Sequence, residues 1–293
     1  MSEAAFREAV HDAVLRWYAV AGRDLPWRHR DATPWGVLVS EVMAQQTPIA
    51  RIIGPWQAWL ARWPTPAALA SASPADVILA WDRLGYPRRA LGLHRAAKAM
   101  VEGHDGQVPS DPADLRALPG VGEYTTAAVS SFAFGNPLVV IDTNVRRVLT
   151  RIALGREQAA PSLTAAERAL AQEWLPAEPD RANAWNVAAM ELGALICTAR
   201  APRCEDCPVR DRCRWVAAGR PAYDGPVRKG QGYEGTDRQL RGRILALARA
   251  ATAPLAPEVL EGLGEPERVA RLAEQLCAEG LLVHSRAGYD LPR

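Results

Sequence analysis

Cys197-Thr-Ala-Arg-Ala-Pro-Arg-Cys204-Glu-Asp-Cys207-Pro-Val-Arg-Asp-Arg-Cys213 sets four thiols in one short stretch, with gaps of six, two and five residues. A disulfide framework is disfavoured if the chain stays inside the cell. The N-terminus, Met1-Ser-Glu-Ala-Ala-Phe-Arg-Glu8, carries charge through its first turns and has no apolar core of a signal peptide. No apolar run approaches membrane-spanning length. The expectation is a cytoplasmic protein with no membrane partner. Two readings of the thiols then stay open. Four cysteines suit a tetrahedral zinc site, although zinc ligands usually come as paired knuckles. A single compact loop with uneven gaps better suits the corners of a [4Fe–4S] cube, which is the preferred reading. Arg200, Arg203, Arg210, Arg212 and Arg214 stud the same loop, partly offset by Glu205, Asp206 and Asp211. Such a loop can clamp phosphates, or it can be a merely solvated charged surface.

A chain of 293 residues gives room for two modest domains. With 48% hydrophobic and 23% charged residues the chain has the balance of a folded globular protein. Thirty-five Lys and Arg stand against 33 Asp and Glu, so any nucleic-acid-binding charge has to be local.

Hydrophobic spacing predicts an all-α chain. Helices are expected over 3–20, 35–46, 49–62, 74–84, 88–101 and 111–118, separated by Trp-Pro, Ser-Pro and Gly-Tyr-Pro breakers. Thr33 with Pro34, and Asp111 with Pro112, fit caps and first helical positions. The turn Leu118-Pro-Gly-Val-Gly122 leads into a helix that stops at Gly135, and another begins just after Asp142. A Gly/Pro/Arg/Lys-rich linker is expected over 219–235. Beyond it two helices, around Leu240 and around Leu272, precede a hairpin of 281–283 against 289–291, which makes 236–293 a small winged-helix-like module. Cys277 sits on the apolar side of its helix and is expected to be a buried structural thiol.

Gly120 and Gly122 allow main-chain N–H groups, Val121 between them, to point outward at a helix N-terminus. That geometry binds phosphate without reading sequence, although Gly-x-Gly can also be plain turn chemistry. Two carboxylates stand out. Glu41 falls beside the stripe Val37, Leu38 and Val42, where desolvation favours the neutral acid. Asp142 follows the apolar run 138–141 and heads a helix, where the dipole favours an ionised carboxylate. Alone, each is equally an ordinary helix glutamate and an ordinary N-cap.

With the hairpin and the cysteine quartet together, the chain resembles the helix-hairpin-helix DNA glycosylases with a [4Fe–4S] cluster, and within them the adenine DNA glycosylases of the MutY type. The resemblance runs from about Leu25 to Cys213. It includes Ser40-Glu-Val-Met43, Gln45-Gln-Thr47, Leu84-Gly-Tyr86, the hairpin, Asp142-Thr-Asn-Val145 and Met190-Glu-Leu-Gly-Ala194. It implies a fold of two helical subdomains, one from 1–25 with 137–218 around the cluster and one from 26–136 around the hairpin.

It also implies the residue roles. Glu41 would protonate the leaving adenine and then activate water. Asp142 would stabilise or trap the sugar, with Asn144 orienting the groups. Tyr124 stands where strand-cleaving relatives carry the lysine of a Schiff base, so a monofunctional enzyme is expected. Gln46 and Tyr86 would wedge into the duplex, the hairpin with Arg200 and Arg203 would hold phosphates, and Trp27, Arg28, Ala44 and Val187 would line the base pocket. Trp27 could equally be core packing. The implied partner is duplex DNA with a mismatch or damaged base, bound by a monomer.

Two pocket positions depart from the family pattern: Ala44 replaces a common leucine, and Val187 replaces the residue that reads the adenine edge. A lost edge contact costs about 1–3 kcal/mol of selectivity. The Nudix-like C-terminal domain of longer members is not expected in this chain, and 236–293 is expected to stand in its place. Excision of another base, such as thymine from a G·T pair or a modified purine, and a non-catalytic iron–sulfur DNA-binding protein are the competing functions.

Overall fold

The computed structural model describes residues 2–225 and 232–293. The centre of the expected linker, residues 226–231, lies outside the described residues. In chain order the helices are α1 (Glu3–Ala21), α2 (Pro34–Ala44), α3 (Ile53–Arg62), α4 (Pro66–Ala70), α5 (Pro74–Trp81), α6 (Arg88–Gly103) and α7 (Pro112–Ala117). They continue with α8 (Glu123–Phe134), α9 (Thr143–Leu154), α10 (Ala165–Glu173), α11 (Pro179–Leu195), α12 (Arg214–Ala217), α13 (Asp237–Ala250), α14 (Pro257–Glu261) and α15 (Pro266–Ala278). A short antiparallel hairpin, β1 (Val283–Ser285) and β2 (Gly288–Asp290), ends the chain. The strands pair Val283–Ser285 with Gly288–Asp290 rather than 281–283 with 289–291, so the turn is only Arg286-Ala287.

Local chemistry explains most helix starts. Thr33, Thr65, Ser73, Asp111, Asp142 and Thr236 each accept a main-chain N–H in the first turn with the side chain, which satisfies a donor the helix leaves open. Proline opens α2, α4, α5, α7 and α11, where its fixed φ and missing N–H cost nothing. Helix α5 stops at Trp81 rather than 84, because Asp82 turns to φ 41°.

Helix α2 departs from the expected one-sided stripe. Every residue from Trp35 to Met43 is buried. A helix that is apolar nearly all round sits inside a core rather than on its surface, so Ser40 and Glu41 are polar groups enclosed with it.

Two compact units divide the chain: Met1–Ala32 with Gly122–Arg228, and Thr33–Val121 with Lys229–Arg293. In the first, α1, α9 and α11 pack around Val10, Val14, Val148, Leu149, Trp185 and Leu192, with Cys204 and Cys213 in the same cluster. Each such side chain contributes about 1.5–3 kcal/mol on burial. In the second, Trp59 sits edge-on to Trp63 and Trp81 at ring separations of 4.7 and 5.6 Å. The C-terminal module consists of α13, α14, α15 and the hairpin, with Leu255 bridging Tyr289 alongside it. Leu240, Ile244 and Leu272 of this module share one core with Ala75, Ile78 and Leu91 of α5 and α6. Cys277 is half-buried at the edge of that core rather than enclosed.

Candidate functional site

Asp142 is built into the N-terminus of α9. Its Oδ1 accepts the Val145 N–H at 2.6 Å and its Oδ2 accepts Asn144 Nδ2 at 2.7 Å. The extended segment leading to it is fixed by Asn186 of α11, whose Oδ1 accepts the Val140 N–H at 3.3 Å and whose Nδ2 donates to Leu138 O at 2.8 Å. Arg147, one turn on, donates to Asn144 Oδ1 at 2.8 Å, to Gly193 O at 2.7 Å and to Cys197 O at 2.7 Å. One guanidinium thus joins the asparagine beside Asp142 to the first cysteine of the quartet.

Burial drives the Asp142 carboxyl above its ordinary 3.8, and the hydrogen bonds from Val145 and Asn144 with the nearby Arg147 charge oppose that rise without reversing it. Part of the residue's surface stays open, but the atoms packed about the carboxyl desolvate it. The helix N-terminus favours the ionised form, and desolvation outweighs that dipole in setting the direction of the shift.

In the other unit Glu41 is 7% exposed within α2. The two residues that follow the helix, Gln45 and Gln46, turn the chain, with Gln46 at φ 55°; Tyr86 stands at φ 49°. Non-glycine residues in this left-handed region are held there by their surroundings at a cost of about 1–3 kcal/mol. Arg89 holds both. Its Nη1 donates to Val42 O at 3.0 Å and to Gln45 O, and its Nη2 donates to Gly85 O at 2.9 Å. Its guanidinium also lies 5.1 Å from the centre of the Tyr86 ring.

The four cysteines ring a cavity of about 340 Å³, counted to its open mouth, that Arg151, Ile152, Leu192, Ile196 and Trp215 also line. Arg151 is 1% exposed. It donates to Cys197 Sγ at 3.3 Å and to Thr198 O at 2.8 Å, and it lies 4.6 Å over the Trp215 ring. Burial, reinforced by the other three cysteines, pushes the Cys207 thiol up to about 12. Four crowded thiols, two buried and two half-buried, become thiolates only when cations compensate them, and four thiolates in turn offset the buried Arg151. The donor set therefore fits an iron–sulfur cluster. No group of three His, Cys, Asp or Glu among the described residues could hold a single metal ion.

On the loop surface, Arg210 pairs with Glu205 at 3.1 Å and Arg214 with Glu3 at 2.6 Å. Arg203 donates to Leu195 O at 2.9 Å and faces Asp206 at 3.7 Å. Arg200 and Arg212 are exposed and have no carboxylate partner among the described residues, so of the five loop arginines Arg212 is as available as Arg200.

In the hairpin only Gly120 requires glycine: at φ 82° its missing Cβ would stand 3.3 Å from Gly92 Cα. Gly122, at φ −93°, is extended and caps α8 without a side chain. Tyr124 and Val187 are half-buried on α8 and α11, and Ala44 is half-buried at the end of α2. Trp27 is buried. Arg28 donates to Glu191 Oε1 at 3.0 Å, and Arg23 Nε donates to Glu191 Oε2 at 2.9 Å. Glu191 is 1% exposed; burial raises its carboxyl, but Arg23 and Arg28 together bring it below its ordinary 4.5. Sequence reasoning gave Glu191, Asn186, Arg147 and Gly193 no role of their own, because contacts that tie them to this turn or to Arg28 cross 46 to 163 positions of the chain.

A helical fold with a glycine hairpin and a cysteine-ringed cavity defines a class of iron–sulfur DNA repair protein. The profile of the HhH-GPD superfamily of base excision DNA repair proteins matches residues 39–176, and that of the iron–sulfur binding domain of endonuclease III matches 197–213. The adenine DNA glycosylase of Mycobacterium tuberculosis is 47% identical over 95% of this chain and 92% of its own length. A thymine-DNA glycosylase of Aeropyrum pernix is 35% identical over 70% of this chain and 93% of its own. A solved thermostable thymine-DNA glycosylase superposes with a TM-score of 0.65 at 24% identity, covering 73% of this chain and 98% of the other, a likeness of fold. The chain belongs to the adenine DNA glycosylase family and carries a [4Fe–4S] cluster, and the matched iron–sulfur segment, 197–213, begins and ends on cysteines of the quartet.

Proposed function

We propose that the chain removes adenine paired with 8-oxoguanine or guanine in duplex DNA and leaves an abasic site, acting as a cytoplasmic monomer. The observation that carries this reading is the 47% identity to an adenine DNA glycosylase across 95% of the chain. Cleavage of a glycosidic bond through an oxocarbenium-like transition state needs an acid for the leaving base and an anion for the sugar. Glu41, enclosed with the apolar side chains of α2, supplies the proton to the departing base and then takes one from the attacking water. Asp142, oriented by Asn144, stabilises or traps the developing sugar cation. Tyr124 offers no amine for a Schiff base, so the backbone stays uncut.

Gln46 and Tyr86 enter the duplex and help offset extrusion of the target nucleotide. Gly120, Val121 and Gly122, with Arg200 and Arg203, hold phosphates, and Trp27, Arg28, Ala44 and Val187 border the base. The cluster holds the arginine loop in shape. It takes no part in the hydrolysis, which moves no electrons.

The test is a panel of duplexes carrying A, T, C or an alkylated purine opposite G or 8-oxoguanine, assayed with and without hot alkali. Alkali-dependent cleavage at A opposite 8-oxoguanine, abolished by Asp142→Asn, is expected. Strand breakage without alkali would contradict the monofunctional reading. Thymine excision is the second reading, favoured by the 35% identity to a thymine-DNA glycosylase; preferential cleavage at T opposite G would establish it. No cleavage of any duplex would leave a DNA-binding protein.

A further inference from the structure

The loop from Asp82 to Tyr86, between α5 and α6, is held by arginines from three other places in its unit. Arg51 donates to Arg83 O at 2.8 Å, Arg89 to Gly85 O at 2.9 Å, and Arg249 to Asp82 O at 2.5 Å. Arg238 lies with its guanidinium 4.5 Å from the centre of the Tyr86 ring and 5.9 Å from that of Tyr233. Two of these four, Arg238 and Arg249, stand near opposite ends of α13 in the C-terminal module. The module is fastened underneath by the core that Leu240 and Ile244 share with Ile78 and Leu91, so α13 is fixed against the loop rather than resting on it.

Arg238 differs from the other three. They spend donors on main-chain carbonyls, whereas Arg238 is exposed and has no hydrogen bond or carboxylate partner among the described residues. The adjacent Asp237 does not neutralise it, because that carboxylate is taken by Arg268 at 2.7 Å and Arg271 at 3.0 Å. A guanidinium lying over an aromatic ring keeps its edge N–H groups directed outward, ready for an anionic oxygen.

We propose that α13 of the C-terminal module is part of the DNA-binding surface, with Arg238 contacting a backbone phosphate beside the point where Tyr86 meets the duplex. The inference rests on the reading of Tyr86 as a residue that enters DNA. It gives residues 236–293 a task beyond packing: they steady the loop that carries Tyr86 and add one cation to it.

The test uses the full cluster-containing chain and two fluorescent duplexes, one fully paired and one with a tetrahydrofuran abasic site, titrated at several salt concentrations. Losing one phosphate contact weakens binding about eightfold near ~0.1 M salt and reduces the salt slope by about one. Arg238→Ala is expected to do this on both duplexes, since a phosphate contact carries no sequence information. Arg238→Lys is expected to keep most of the slope. Unchanged melting and iron–sulfur absorbance show that the variants remain folded. If Tyr86→Ala weakens binding to the abasic duplex while Arg238→Ala matches wild type in Kd and slope, the proposal fails and the Tyr86 reading stands. If both variants match wild type, the Tyr86 reading fails and takes the proposal with it. A loss confined to the abasic duplex would also overturn it, because a phosphate contact would act on both.

Discussion

A methyl group on Gly193 would stand 2.6 Å from Asn144 Cβ, so α11 and the start of α9 meet where only glycine fits. Asn144 in turn donates to Asp142 Oδ2, and Arg147 ties both Asn144 Oδ1 and Gly193 O. Overpacking such a contact costs about 1–3 kcal/mol. Gly193→Ala is therefore expected to displace Asn144 and lower single-turnover excision by about tenfold or more, tenfold corresponding to about 1.4 kcal/mol. The melting temperature should fall by only a few degrees. An excision rate within twofold of wild type would show that the asparagine's position does not matter.

Asp142 poses the opposite balance. Burial raises its carboxyl in the fold, so the ionised form is the costly one there. A carboxyl whose folded pKa exceeds its unfolded value adds stability below the unfolded value and loses it as pH rises through the folded one. At neutral pH the ionised group thus opposes folding, a strain of the kind found where function needs it. Asp142→Asn should melt no lower than wild type at pH 7 while abolishing excision. Wild-type excision should decline on the acid side at a pH above the ordinary carboxyl range. A clear drop in the melting temperature of the variant would sink this account.

Arg89 joins two left-handed residues through one guanidinium, contacting Val42 O, Gln45 O and Gly85 O while lying near the Tyr86 ring. Arg89→Met strands these carbonyls, at about 2–3 kcal/mol in total. Base extrusion, followed with 2-aminopurine fluorescence beside the target nucleotide, should slow more than DNA binding weakens. Arg89→Lys should recover only part of the rate, because an ammonium lacks the planar fork. Equal extrusion rates in all three proteins would mean that the clamp is purely structural.

What the sequence made legible was local. The cysteine loop, the Asp142 cap and the proline-led helix starts all depend on neighbours within a few residues. Helix α11 was not read, because Ala182, Trp185, Ala188, Ala189, Leu192 and Gly193 bury it on several sides and erase the one-sided period. Asn186 and Val140 meet across 46 positions, and Arg151 meets Cys197 across the same number; no spacing rule announces such pairs. The upward direction of the Asp142 shift was not legible for a physical reason, since the dipole is visible in a helix start and desolvation is visible only in the packing.

Glu191 gives the last prediction, and its sign is opposite to that of Asp142. Although 1% exposed, it is held below its ordinary 4.5 by Arg23 and Arg28. A carboxyl depressed in the fold adds stability that is fully present above the unfolded value and is lost as pH falls through the folded one. Urea unfolding of wild type should therefore weaken as pH drops from about 5 toward and below 4, and Glu191→Gln should flatten that limb. Glu191→Ala, which leaves two half-buried guanidinium groups without their shared anion, should cost about 3 kcal/mol at neutral pH. Arg28 is also a base-pocket candidate, so its release should raise the Kd for substrate duplex in Glu191→Gln even where the protein is fully folded. An unchanged acid limb together with an unchanged Kd would show that this ion triad neither stabilises the fold nor positions Arg28.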